Sequence, residues 1–572
     1  MKAKCKSTII STICLLLAVL VLGQATSDAG VIGGSNASFD PAPSTALASG
    51  SSAPSLQLDG SSNPGDMRLG EPLGPSFLLP QATINWKVRP KFVSRLDRYE
   101  LTPTRADIHS TNYTLELDAC ESRVAGRQTY EGDSRRRFVW TIGSGGTTDL
   151  QITHSCVIPV EVSSQDVRLS LTVLQDEQYT DTEVEYLEIE DLLVVVLGDS
   201  VASGEGTPDD NFNGSTTHGI WYDSVCHRSQ YAAGAQSAID LERASDQSVV
   251  TFVSLACTGA RLQEGLLEPQ PVDPAFAYGT EPREWYWHEL EPEINPFNSD
   301  DCDKDFFGQC LPNTDPWPEQ GTRPAGEWRL RYVPTAPQLD QLDALLCPPG
   351  ETCSSRTQRR DIDALILSAG ANDLSFSAII RICAQPDLHL PDDLHCDHEE
   401  NARLWESIIG HSLNTLDGSY ETVASRLRNG HNIGETLLIQ APDMIRDASG
   451  NVCAMALFED AVLHADVNVV KEWIAGDDGE FSRDELNWAN RTVYEPLIAA
   501  QTRAVARHGW TLVETPEFST AGYCHPAYQR MVTTYTDSRR VQGDNNGTFH
   551  PNWAGQQEIA EDITREISYL VN

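Results

Sequence analysis

Two kinds of hydrophobic pattern divide the chain. From Ile84-Asn85-Trp86 to about residue 188, apolar positions alternate with polar ones: Tyr113, Leu115 and Leu117; Phe138, Trp140 and Ile142; Val167, Leu169, Leu171 and Val173. A period of two marks strands with one buried face. Gly143 to Thr148 is a turn-rich break between two of them. This succession of short strands predicts a β-sandwich over 85–188, immunoglobulin-like in pattern, with Cys120–Cys156 as an inter-sheet disulfide.

The pattern changes at Asp191. Leu192 to Leu197 is an unbroken apolar run, which requires burial on both faces, as in a parallel strand covered by helices. Similar runs recur at Val249–Val253, Ala364–Leu367, Thr436–Ile439 and Trp510–Val513. Between them the spacing predicts helices over 401–428 and over 482–507, the second opened by the capping box Ser482-x-x-Glu485. Ile559, Ile563, Ile567 and Leu570 mark a terminal helix. Five buried strands alternating with helices predict a doubly wound parallel α/β sheet over 190–572, a fold in which ligands bind beyond the carboxyl ends of the strands. Residues 265–335 interrupt it. There Trp285, Trp287, Trp317 and Trp328 stand among prolines and acids with little periodicity. Two readings are open for this insertion: a lid or wall of the binding cleft, or a disulfide-pinned surface excursion.

Ahead of both regions, residues 26–84 are rich in Ser, Gly, Pro and Ala and read as a flexible, disordered linker. Residues 1–25 read as a signal peptide. Lys2, Lys4 and Lys6 precede the apolar stretch Ile9–Leu22, which is too short for an ordinary span, and Gly23-Gln24-Ala25 is a small-residue exit. No other stretch is long and apolar enough to cross a bilayer, so a secreted or periplasmic protein is expected. Cysteine usage agrees. Of 14 cysteines, Cys5 and Cys14 leave with the leader, and the even remainder suits an oxidising compartment. Sequential pairing is the simplest arrangement: Cys120–Cys156, Cys226–Cys257, Cys302–Cys310, Cys347–Cys353, Cys383–Cys396 and Cys453–Cys524. With 41 basic against 83 acidic side chains, the formal charge of −42 repels phosphate backbones and argues against nucleic acid as a partner.

Candidate chemistry gathers where the predicted strands end. The first runs into Gly198-Asp199-Ser200, on a glycine-rich turn that holds a serine toward solvent, as an activated nucleophile requires. Alone, this is equally a helix cap. The second strand ends in Ala256-Cys257-Thr258-Gly259-Ala260 and the third in Ser368-Ala369-Gly370-Ala371-Asn372-Asp373, and Phe549-His550-Pro551-Asn552 stands near the C-terminus. In this order the four blocks resemble those of the SGNH, or GDSL-type, hydrolase superfamily. With Cys226-His227-Arg228-Ser229 and Pro337-Gln338-Leu339-Asp340, the chain is similar to the secreted lipase and esterase branch known from actinomycetes.

The resemblance implies a serine esterase or lipase that hydrolyses carboxylic esters through an acyl-enzyme, without metal or cofactor. Ser200 would be the nucleophile and His550 the general base. The backbone N–H groups of Ser200 and Gly259, with the Asn372 amide, would form the oxyanion hole. It also implies the pairs Cys226–Cys257, Cys383–Cys396 and Cys453–Cys524. The wider family places an aspartate three residues before the histidine, where this chain has Gly547. Asp544 is one substitute; a backbone carbonyl near 547 is the other and the better supported, because Asp544-Asn545-Asn546-Gly547 favours a tight turn that Asp544 would cap itself.

The expected substrate is a lipid ester or an acylated glycan. A polysaccharide O-acetyl esterase is the near alternative, and an inactive binding or adhesion protein the distant one. The β-region suits contact with a glycan or surface. Asp392, Asp393, His395, Asp397 and His398 read as a solvated acidic loop, and Asp477-Asp478-Gly479 lacks the alternating ligands of a calcium loop, so no metal site is assigned.

Overall fold

The computed structural model describes residues 81–271, 283–289, 326–376, 379, 399–456 and 480–571, apart from 92–100, 129–134, 211–218 and scattered single positions or pairs. The expected signal peptide, the linker before Gln81, the Cys302–Cys310 and Cys383–Cys396 pairs, Cys453, and the acidic groups at 392–398 and 477–479 lie outside the described residues.

The alternating region forms β1 (Asn85–Val88), β2 (Tyr113–Asp118), β3 (Arg136–Ser144), β4 (Thr147–Thr153), β5 (Val157–Val162), β6 (Asp166–Gln175) and β7 (Gln178–Glu188). They build two antiparallel sheets, ordered β1-β2-β5 and β4-β3-β6-β7. The inward positions of both, among them Leu115, Leu117, Phe138, Trp140, Leu169 and Leu171, make one buried cluster. One expectation is corrected. Cys120 and Cys156 are bonded, but they flank β2 and β5, which are neighbours in a single sheet with Asp118 opposite Val157. The bond closes the end of that sheet and does not bridge the two. Order along the chain could not reveal that these distant strands pair directly.

The second region opens two residues later with β8 (Glu190–Gly198), followed by α1 (Ser200–Ser203), α2 (Ala233–Ala244), β9 (Ser248–Ser254), the two-stranded β10 (Arg283–Glu289) and β11 (Gly326–Tyr332), α3 (Gln338–Leu345), β12 (Ile362–Ser368), α4 (Glu399–Gly430), β13 (Ile433–Ile439), α5 (Arg483–Ala489), α6 (Glu495–His508), β14 (Thr511–Val513), α7 (Tyr535–Val541) and α8 (Trp553–Ile567). A short π-helical stretch, Asn490–Tyr494, joins α5 to α6 into one helical run. The five expected strands form one parallel sheet ordered β9-β8-β12-β13-β14. The chain steps one way from β8 to β9 and the other way from β12 onward. Right-handed crossovers therefore put α2 on the face opposite α4 and α6, so the sheet is covered on both sides. α8 packs with α2, and α4 with α6.

Within the insertion, β10 and β11 pair antiparallel with Trp287 opposite Trp328. Here the alternation Trp285, Trp287 and Trp328, Leu330 carries a hairpin that the surrounding prolines obscured. The two regions meet on a buried carboxylate. Asp191 on β8 receives Lys91 (2.6 Å), Tyr113 of β2 (2.9 Å), Thr251 of β9 (2.8 Å) and Arg360 (3.0 Å). Against the opposing effect of burial, Arg360, Lys91 and the Thr251 hydroxyl hold this carboxyl below its usual range.

Candidate active site

The strand order reverses between β8 and β12, and the loops after β9, β8 and β12 lie side by side at the carboxyl edge, where such sheets bind ligands. The approach is close at Gly198. Its φ is +129°, and a Cβ there would lie 2.0 Å from the Ser368 carbonyl oxygen, so only glycine fits. Gln338 clamps the same residue, accepting from the Gly198 N–H (2.7 Å) and donating to its carbonyl (2.8 Å). This is what the Pro337-Gln338-Leu339-Asp340 block does in the structure.

Asp199 caps α1, accepting from the Val201 N–H (3.1 Å) and from Ser368 Oγ (2.8 Å). Burial pushes its carboxyl up to about 7. Ser200 thus begins a helix at the strand end, with only 8% of its surface exposed. Its Oγ is 2.7 Å from His550 Nε2. The other ring nitrogen, Nδ1, is 3.2 Å from the Thr548 carbonyl oxygen. A carbonyl can only accept, so this contact puts the proton on Nδ1 and leaves Nε2 as acceptor for the serine hydroxyl. Burial lowers the His550 pKa, opposed by the Glu205 carboxylate and by backbone carbonyls. Phe549, which precedes it, holds φ at +66°, a strained position for a bulky residue, and is buried against Tyr523 with ring centroids 4.8 Å apart. That packing presents His550 toward Ser200.

Asp544 sits elsewhere in the turn. Its carboxylate accepts from Gln542 Nε2 (2.7 Å) and from the Asn546 N–H (2.9 Å). Gly259 adopts φ +77°, and its N–H makes no hydrogen bond among the described residues. The loop is tied down by the Cys226–Cys257 disulfide and by Cys257 N–H donating to the Gly198 carbonyl (3.0 Å). Asn372 opens a 3-10 turn after β12, and its Nδ2 donates to the Ala260 carbonyl (3.0 Å), which uses one of two amide hydrogens. Both oxygens of Asp373, pushed up to about 6 by burial, accept from the Leu262 N–H at 3.2 Å. The three loops are thereby fastened to one another.

An apolar cavity adjoins the chain neighbours of the pair, although neither Ser200 nor His550 lines it. Asp199 and Val201, which flank Ser200, and Phe549 line it together with Phe376, Met444, Leu486 and Val493. The Thr548 carbonyl answers the expectation of a backbone acceptor near 547, whereas sequence reasoning missed the strained Phe549 and a buried group made by Glu205, His227 and Gln542. His227 stands inside the block Cys226-His227-Arg228-Ser229, which carries only the resemblance. Of the remaining disulfides, Cys347–Cys353 is formed, and Cys524 is bonded while its expected partner Cys453 lies outside the described residues. Among the described residues no helix is long and apolar enough to cross a membrane.

No family model and no curated protein matches the chain. Among solved structures, similarity is found to an extracellular lipase from Streptomyces rimosus (14% identity, covering 66% of this chain and 98% of that one, TM-score 0.33). It is also found to phospholipase A1 from Streptomyces albidoflavus (14%, 65% and 98%, 0.33) and to a carbohydrate acetylesterase from Sinorhizobium meliloti (9%, 66% and 99%, 0.25). At such identities and scores these likenesses carry no weight, and the chemistry below rests on the geometry above.

Proposed function

We propose that the protein is a serine hydrolase of carboxylic esters, of SGNH type, with Ser200 as nucleophile and His550 as general base. The observation that carries this is the 2.7 Å contact of Ser200 Oγ with His550 Nε2, on a ring whose Nδ1 faces a carbonyl. His550 Nε2 takes the hydroxyl proton as Oγ bonds to the ester carbon. Negative charge then builds on the former carbonyl oxygen, where the N–H groups of Ser200 and Gly259 and the second hydrogen of the Asn372 amide are the donors. The imidazolium returns its proton to the leaving alkoxide as the C–O bond breaks, giving an acyl-enzyme. Water, giving its proton to His550, attacks this ester and releases the acid and free Ser200.

The apolar cavity lined by Asp199, Val201 and Phe549, the chain neighbours of Ser200 and His550, supports an acyl chain longer than acetyl, a lipid-like ester, as the substrate class. The disulfides support an exported protein. A fluorophosphonate probe should label Ser200, and a series of p-nitrophenyl esters should be hydrolysed best at medium or longer chains. Absence of labelling in folded protein overturns the reading. A preference for acetyl esters, extending to acetylated xylan, transfers it to a polysaccharide deacetylase.

A further inference from the structure

A carboxylate behind His550 has no place in the mechanism so far. Glu205 is fully buried, and its N–H donates to the Ser200 carbonyl (3.0 Å) at the end of the nucleophile's helix. One carboxylate oxygen meets His227 Nδ1 at 2.7 Å, and the other accepts from Gln542 Nε2 at 2.8 Å. His227 is buried and stacked on Trp221, ring centroids 4.3 Å apart and planes within 1°. The Gln542 amide oxygen accepts from the Gly206 N–H (3.2 Å), while its Nε2 also reaches Asp544.

This group is pressed against the loop that carries the base. A Cβ on Gly206 would lie 3.4 Å from the His550 Cβ, and one on Gly547 would meet Gln542 Oε1 at 2.6 Å and the Gly206 Cα at 3.0 Å. No side chain fits between the Glu205-Gly206 backbone and the turn leading to His550.

An ionised carboxylate in such a place is costly unless a cation and hydrogen bonds compensate it. Burial would raise the Glu205 pKa, but the His227 imidazole overrides this and holds it at about 2. His227 is raised in turn by Glu205, against the effect of its own burial. The charged groups facing His550 are the Glu205 anion and, with a smaller and opposite effect, the His227 cation. Asp544 and Asp223 face His227.

We propose that Glu205 is a positioning residue for the reaction: clamped by His227 and Gln542, it fixes the turn that carries His550 and supplies, from behind, the negative charge that the Thr548 carbonyl lacks. When Ser200 gives up its proton, the imidazolium forms in the field of a buried anion. The inference rests on the Ser200–His550 reading above.

The test uses the full chain, with fluorophosphonate labelling of the wild type done first. Failure of that labelling sinks the hydrolase reading itself. Glu205→Gln keeps the shape and removes the charge. It should lower kcat about tenfold to a hundredfold with little change in KM, short of the ~10⁴-fold lost when tautomer control itself goes. An anion favours protonation of its neighbour, so its removal should move the acid limb of the kcat/KM profile to lower pH. His227→Gln removes the cation that keeps Glu205 ionised against burial, so the carboxyl neutralises and that limb should again move to lower pH. Glu205→Asp, which retains charge, should keep the limb near its wild-type position. A merely structural role would reduce folded yield or kcat without moving the limb. Acid limbs unmoved in both charge-changing variants overturn the proposal. Where Glu205→Gln does not fold, the His227→Gln profile decides, and an unmoved or raised limb there overturns it.

Discussion

Along β6 from Asp166 to Val173 every second residue is buried, whereas in β8 seven consecutive residues from Leu192 to Gly198 are buried. The first pattern belongs to an antiparallel sheet with one face on a core, the second to a parallel strand covered on both sides. Consecutive antiparallel strands leave the sheet at alternate ends, so their loops are shared between two edges. The parallel strands all end at one edge. There the loops after β9, β8 and β12 bring Gly259, Ser200 and Asn372 to neighbouring positions, although the residues are far apart in the chain. The comparison assigns stability to the β-region and to both cores, and chemistry to one edge of one sheet.

The strongest way to break this division is Ser200→Ala. Hydrolysis should fall by at least about 10⁴-fold with the melting temperature unchanged, and near-wild-type turnover in folded protein would remove the mechanism. Asn372→Ala takes one donor from the same edge and should lower kcat by about 10²–10³ with a smaller change in KM. An unchanged kcat places Asn372 outside the site.

On the other side, Trp140→Ala empties the β-region's core and should cost about 3–5 kcal/mol in denaturant unfolding. The folded fraction should keep its kcat; a changed kcat would show that the β-region shapes the site. Val493→Trp fills part of the apolar cavity and should shift preference toward short acyl chains by about tenfold. A chain-length profile that does not move puts the acyl group elsewhere. The smallest change is expected from Asp544→Asn, under tenfold in kcat, because Nδ1 faces the Thr548 carbonyl. A loss of a thousandfold would instead make Asp544 the third member of a triad.

Much of this was legible before any coordinates, for identifiable reasons. The five parallel strands are visible because burial on both faces forces unbroken runs such as Leu192–Leu197. The long helices show in their periodicity, with α4 spanning Glu399–Gly430 against an expected 401–428. The hairpin of β10 and β11 was hidden because its two strands stand 36 residues apart, between Glu289 and Gly326, among prolines. The inter-sheet reading of Cys120–Cys156 failed because pairing order, and not spacing, decides which strands are neighbours.

Local sequence carried the chemistry only as far as residue types and their places at strand ends. A serine after a buried strand, a glycine free of a Cβ and a histidine before a helix are properties of short segments, and short segments declare them. Which atoms then meet is a matter of packing. The packing of Phe549 on Tyr523 and the burial of Glu205 between His227 and Gln542 join positions up to 337 residues apart. Such contacts depend on how helices and loops settle on the sheet, and the low dielectric that makes a buried charge effective exists only once they have.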